Sequence, residues 1–264
     1  MMKCAVVGLV KGYSGETHKY EDLINRNIAI HNSFNKFFNY PLLIFHEDNL
    51  ISSDQKFIVE NSPGKINFIN ISNFFKFDNE KSYLSKINDI ERFDFGYRKM
   101  CRFNSLYIWE LTKQYDYILR VDEDVIIRKI SNNFFKIMKQ NNLVFLSGKF
   151  VEETHNPTNN TLPNEIKKTL GLKSTKFYNH KFPYTNLYAA DVKFWLNKEI
   201  HSNLKKIVES QNQIINRWGD LAILGCFLNI YASKKTSKKF NKLEYYHGSH
   251  KQLVKSNKTK FNFL

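Results

Sequence analysis

Tyr117-Ile118-Leu119-Arg120-Val121-Asp122-Glu123-Asp124 decides how this chain reads. Its first five residues are β-branched, aliphatic or aromatic apart from Arg120, as expected of a strand buried on both faces. Three carboxylates follow at once. In parallel α/β sheets ligands bind beyond the carboxyl ends of the strands, so an acidic turn at that position is a candidate site by its placement more than by its composition. Upstream, residues 97–114 carry Met100, Phe103, Tyr107, Ile108 and Leu111 along one side at near-helical spacing. Downstream, residues 132–141 read as a helix and 143–146 as a further strand.

Working outward, residues 3–9, 41–45 and 65–71 are β-rich runs, and residues 17–38 and 53–60 carry helical periodicity. Strands alternating with helices imply an α/β protein with a mainly parallel central sheet flanked by helices. Residues 72–95 are polar and irregular and read as a surface excursion. Residues 151–177 hold Pro157 and Pro163 and read as a long loop with one short helix. Residues 203–217 and 220–231 read as helices split by Trp218-Gly219, and the basic tail from Lys234 is expected to lose order at its end.

The 264 residues suit one large domain, and 23 Phe with 14 Tyr supply a core with rings to spare for a sugar-binding cleft. The net charge of +15 favours phosphates, acidic glycans or anionic surfaces. Neither a zinc-finger spacing nor an RRM-type aromatic signature is present, so no specific nucleic acid is expected. Cys4, Cys101 and Cys226 sit far apart in apolar runs and read as reduced core residues. The first residues are strand-like and too short for a secretory signal, and no apolar run reaches membrane-span length. A cytoplasmic protein without a transmembrane segment is the expectation, with peripheral contact to anionic surfaces left open.

Four segments carry candidate chemistry. Asp122 and Asp124, two residues apart past a strand, can face one divalent cation that bridges a diphosphate, although a solvated acidic turn has the same composition. Tyr246-His247-Gly248-Ser249-His250-Lys251 offers imidazoles to complete such a site, or two surface histidines. In Arg217-Trp218-Gly219-Asp220, Asp220 is placed to cap the next helix, or to accept from acceptor hydroxyls while Trp218 stacks on a sugar ring. In Gly96-Tyr97-Arg98-Lys99-Met100-Cys101-Arg102-Phe103, Arg98 and Arg102 stand at i and i+4 on one helix face, suited to a diphosphate or to plain exposure.

In this order, with Tyr245-Tyr246-His247 and with Phe38-Asn39-Tyr40-Pro41 before Phe45, the segments resemble the fungal α-1,2-mannosyltransferases of glycosyltransferase family 15. The resemblance spans about residues 4–250. It implies a GT-A fold over one domain, with residues 1–125 as the nucleotide-sugar-binding half, 126–250 as the acceptor half and 251–264 as a basic tail. It also implies GDP-mannose as donor, a glycan acceptor, Mn2+ or Mg2+, and retention of configuration. The family's Glu-Pro-Asp matches Asp122-Glu123-Asp124, giving Asp122 and Asp124 the metal and His247 or His250 the third ligand. Lys11, Tyr97, Arg98, Arg102 and Asp122 fall to the donor, and Trp218, Asp220 and Asn186 to the acceptor. Asp220 and Tyr188 fall to catalysis. Two positions depart from the family: its Ser-Asn-Phe-Glu segment aligns with Thr185-Asn186-Leu187-Tyr188, so Tyr188 stands where a carboxylate is expected, and Leu224 stands where the family has a histidine.

Overall fold

The computed structural model describes residues 2–77, 80–87, 93–130, 133–233, 236–240, 243–248 and 252–255. Along these residues the strands are β1 (Cys4–Val10), β2 (Leu42–His46), β3 (Ile66–Asn70), β4 (Tyr117–Val121), β5 (Val125–Ile130) and β6 (Phe145–Ser147). They continue as β7 (Phe150–Glu152), β8 (Lys181–Pro183), β9 (Leu187–Asp191), β10 (Ser237–Lys239), β11 (Leu243–His247) and β12 (Gln252–Lys255). The central sheet has seven strands in the order β10-β6-β9-β4-β1-β2-β3. β1 runs parallel to β2 and β4, β2 to β3, and β10 to β6, so the sheet is mainly parallel as expected. β9 runs antiparallel between β4 and β6.

The inner strands are mainly apolar because both faces are covered, with Arg120 of β4 a buried charge among them. Ala5, Val7, Leu43 and Phe45 enter one core with Trp109, Trp195 and the Asp220–Tyr231 helix. Cys4, Val6, Leu42, Leu119 and Val121 enter the other, with the Phe134–Gln140 helix and Tyr245 of β11. Successive strand side chains point to opposite faces, and this alternation divides one apolar run between two cores. All three cysteines are buried and free. Among the described residues no helix is long and apolar enough to cross a membrane.

Several boundaries differ from expectation. Residues 151–177 hold a full helix, Asn156–Leu170. His155 caps it through Thr158, Pro157 sits in its first turn where the missing N–H is harmless, and Gly171 ends it in the left-handed region at φ 65°. Pro163 lies inside it, on the side that buries Leu162 and Ile166, so packing overrides the proline. The expected helix over 97–114 is instead α-helical over Phe95–Arg102, π-helical over Phe103–Tyr107 and α-helical again over Ile108–Leu111. Residues 203–217 contribute to two helices, Lys198–Val208 and Gln211–Ile215.

A second sheet, β12-β11-β5, matters for the site. β5 starts directly after the acidic turn, and β11 pairs with it antiparallel so that His247 stands opposite Val125. Gly248 N–H then donates to the Asp124 carbonyl at 2.9 Å.

Candidate active site

The carboxyl edge of the central sheet gathers the candidate residues. β1 and β4 are parallel neighbours with Val7 opposite Arg120, so Lys11, just past β1, and Asp122, just past β4, leave the sheet at the same edge. β9 enters from that edge: Val121 pairs with Leu187, and Asp122 N–H donates to the Asn186 carbonyl at 2.9 Å. β11 delivers His247, whose Nε2 lies 3.4 Å from Asp124 Oδ2 and whose Nδ1 lies 3.4 Å from the Tyr184 hydroxyl. One donor atom each from Asp122, Asp124 and His247 lies within 4.8 Å of the others. Glu123, between the two aspartates, is outside this group.

Arg120 organises the turn from within the sheet. Its guanidinium donates to Asp122 Oδ1 at 2.7 Å and to Asp220 Oδ2 at 2.6 Å. Burial opposes its charge, but Asp122 and Asp220 outweigh burial and hold it above its ordinary value. Burial is also the largest influence on Asp122. It outweighs Arg120 and, with Asp220 and Asp124, pushes the carboxyl up to about 6. Glu123 rises to about 7 through burial and then through Asp122 and Asp124, with Arg26 acting in the opposite sense. Neighbouring carboxylates thus add to burial in disfavouring ionisation at this edge, and a bound cation would favour the ionised forms.

The remaining sequence candidates divide. Lys11 is exposed, 5.9 Å from the Tyr13 ring. Asn186 is buried; its Oδ1 accepts from the Tyr245 hydroxyl at 3.3 Å, and its Nδ2 has no partner among the described residues. Tyr97 is half-buried against Phe93 and Arg217. His250 and Lys251 lie outside the described residues.

Four expectations are corrected. Arg98 does not line an exposed basic face: it is fully buried and donates to the carbonyls of Phe93, Ile214 and Ile215, tying two helices together. Arg102 sits apart from it, over the Phe77 ring at 4.7 Å and bonded to the Tyr107 hydroxyl at 3.2 Å. Trp218 presents no ring to a cleft; it is 0% exposed and donates to Thr161 Oγ1. Tyr188 is in the core, stacked on Phe145 at 4.6 Å, with its hydroxyl unpartnered among the described residues. The local capping role of Asp220 fails as well. Gly219 is the cap residue, and Asp220 opens the helix with its carboxylate turned to Arg120.

Sequence reasoning overlooked Arg120 itself, Tyr184, Arg26 and the Arg217–Glu153 ion pair at 3.4 Å. For Arg120 a signal was available: a lone cation inside an apolar strand needs a buried counter-charge.

A family model described as glycolipid 2-alpha-mannosyltransferase matches residues 16–261. O-glycoside alpha-1,2-mannosyltransferase omh1 of Schizosaccharomyces pombe is 21% identical over 254 residues, an overlap of 86% of this chain and 65% of omh1. The chain therefore spans just under two thirds of that relative's length. Core-mannan synthase A (CmsA/Ktr4) of Aspergillus fumigatus, in its Mn/GDP form, is similar with a TM-score of 0.77 at 18% identity, over 94% of this chain and 75% of that one. The mannosyltransferase Ktr4p of S. cerevisiae in complex with GDP gives 0.78 at 17%, over 93% of this chain and 71% of that one. The fold is accordingly the GT-A fold, in agreement with the sequence expectation. With its family model matched over nearly all of its length, the chain belongs to glycosyltransferase family 15.

Proposed function

We propose that this chain is a metal-dependent glycosyltransferase that moves a hexose, mannose from GDP-mannose, onto a carbohydrate acceptor with retention of configuration. The observation that carries the reading is the convergence of Asp122, Asp124 and His247 at the carboxyl edge of the sheet. Two carboxylate oxygens and one imidazole nitrogen form a donor set that suits Mn2+ or Mg2+. The raised Asp122 and Glu123 carboxyls support the same fit. Bound there, such an ion supplies the positive charge that offsets what develops on a leaving diphosphate.

The protein's own groups do the rest. Arg120 fixes the Asp122 carboxylate through one oxygen, and Asp220 fixes Arg120 in turn. At 6% exposure Asp220 serves the reaction through Arg120 instead of touching the acceptor. Lys11 pairs with donor phosphate from the neighbouring strand end, and Tyr184 holds the His247 ring. Residues 1–125 form the nucleotide-sugar half and 126–250 the acceptor half. Tyr188 offers no carboxylate, so retention proceeds by attack on the face the diphosphate leaves. The acceptor oxygen bonds to the anomeric carbon as the bond to the phosphate oxygen breaks, and the departing phosphate takes the acceptor's proton.

Purified protein incubated with GDP-mannose, with and without Mn2+, tests this directly. Asp122→Ala is expected to lower turnover by about a hundredfold or more while leaving the chain folded, and unchanged turnover removes the reading. Thermal shifts with GDP- and UDP-sugars identify the donor, because a ligand that binds only the folded state raises its apparent stability. The buried phenol at position 188 favours one rival, a glycan-binding protein that no longer transfers. That protein would bind glycans yet respond to neither Mn2+ nor any nucleotide sugar.

A further inference from the structure

The turn leading into β2 carries the most exposed large apolar side chain among the described residues: Phe37 is 71% exposed, and its neighbour Phe38 45%. A lone exposed ring needs no explanation, but two in succession do. The turn is fixed from within. Asn35 is buried; its Nδ2 donates to the Tyr40 carbonyl and its Oδ1 accepts from the Tyr40 N–H, both at 2.9 Å. Its carbonyl accepts from the N–H groups of Phe38 at 3.0 Å and Asn39 at 2.8 Å, and Asn39 takes the left-handed φ of 54°. On either side, Phe34 packs on Phe134, and Tyr40 meets Phe135 at 4.9 Å and accepts from Asn133 Nδ2 at 3.0 Å. Buried polar and aromatic groups thus hold both rings in solvent.

The surroundings are basic. Lys36 Nζ stands 5.0 Å from the Phe37 ring. The turn feeds β2 at the amino edge of the central sheet, where the exposed Lys3 and Lys65 directly precede β1 and β3 and the Lys65 carbonyl accepts from Leu42 N–H. Lys136, next to Phe135, is exposed as well, and Lys139 lines a hollow at the same edge with Met2 and Tyr117. The acids of this edge lie by β4 and β9, two or more strands from β2, and are engaged: Asp116 with Lys193 at 2.9 Å and with the Lys3 N–H, Asp191 as the cap of the Val192–Trp195 helix.

We propose that the Phe37–Phe38 turn is a membrane-insertion point that seats the amino edge of the sheet on an anionic lipid bilayer. The two rings enter the interface and the lysines around them meet lipid phosphates. Charge selects this occupant: a chain of net charge +15 repels a second copy of itself and attracts an anionic surface. Strands of five to seven residues, at about 3.3 Å each, set the two edges of the sheet about 15–25 Å apart. Asp122, Asp124 and His247 therefore face away from the lipid. The inference does not depend on the transfer reaction.

The test is co-sedimentation of the full chain with phosphatidylcholine vesicles, with and without phosphatidylserine. Binding is expected with phosphatidylserine and is expected to fall as salt rises. Phe37→Ser combined with Phe38→Ser is expected to weaken it by about tenfold or more, and Lys36→Gln or Lys65→Gln by about fivefold each. These side chains are exposed, so melting should hardly move, which separates lost binding from lost folding. Phe37→Trp reads insertion itself. Trp109, Trp195 and Trp218 are already fully buried, so a blue shift of the added emission on mixing with vesicles comes from position 37. A parent that ignores phosphatidylserine vesicles overturns the proposal, and so does binding that survives the double serine substitution. Self-association of the parent that the same double substitution abolishes overturns it too, by making the turn an interface between copies. Vesicle binding without sugar transfer would uphold this inference and remove the proposed function.

Discussion

Arg120→Lys is the substitution that most sharply tests the architecture of the site. Arg120 spans Asp122 at 2.7 Å and Asp220 at 2.6 Å with two different guanidinium nitrogens, and its side chain is 5% exposed. Lysine keeps the charge but is a point donor on a flexible stem and cannot hold both carboxylates in that fork. One charge-assisted hydrogen bond is lost, about 1.5–3 kcal/mol. For a chain of 264 residues that corresponds to a fall in melting temperature of roughly 3–5 °C. Arg120→Met removes the cation and leaves two carboxylates facing each other without it, which should cost about 3–5 kcal/mol. Melting of the metal-free protein measures both, and a double-mutant cycle with Asp220→Asn isolates the pair, with a coupling of about 1 kcal/mol or more expected for groups in one network. An Arg120→Lys protein melting within about 1 °C of the parent, or a cycle with no coupling, would refute the claim that Arg120 is what holds the two carboxylates.

Three further outcomes follow from the same geometry. Asp122 is raised from 3.8 to about 6, so its ionised form is disfavoured in the fold; its contribution to metal-free stability is present at low pH and is lost as pH rises through that window. Cation affinity should run the opposite way, falling about tenfold per pH unit below about 6 as a proton must first leave Asp122, and flat affinity from pH 7 to pH 5 contradicts the assignment. Tyr188→Phe removes a buried hydroxyl that has no partner among the described residues; stability should be unchanged or slightly higher and turnover should stay within about threefold, whereas a large loss of turnover would return Tyr188 to the chemistry. Gly225→Ala places a β-carbon 2.2 Å from the buried Phe182 ring, where the Asp220–Tyr231 helix packs on β8. Overpacking of this kind costs about 1–3 kcal/mol, which chemical denaturation reads directly.

The parts legible in the sequence are those where local composition and long-range structure demand the same residues. β1, β2 and β4 are doubly buried, so their runs are apolar regardless of neighbours, and the turn after β4 announces itself by charge. β9 was hidden because Leu187-Tyr188-Ala189-Ala190 is short and inserts antiparallel between strands distant in sequence. β11 was more readable than it looked: Leu243, Tyr245 and His247 are buried and alternate with partly exposed Glu244 and Tyr246, the period of a strand with one covered face. Spacing put Arg98 and Arg102 on one helix but could not say that carbonyls at 214 and 215 waited for Arg98. The Asp220 cap was the best local inference and failed because the helix starts one residue sooner than expected: Gly219 takes the cap position, and Asp220, already helical, turns its carboxylate to Arg120.

The difference between the two classes has an electrostatic origin. Asp122, Glu123, Asp124 and Asp220 crowd one sheet edge, and Arg120 and Arg26 are the guanidiniums that act on them. The carboxylates come from adjacent positions, apart from Asp220, and so show in the sequence; the compensating guanidiniums come from a strand interior and a buried helix face, and so do not. Burial is the first cause of the raised Asp122 and Glu123 carboxyls, and the crowding of carboxylates at this edge adds to it. A site made only of solvated surface acids would show little of this shift, because water would screen the charges that burial here forces to interact.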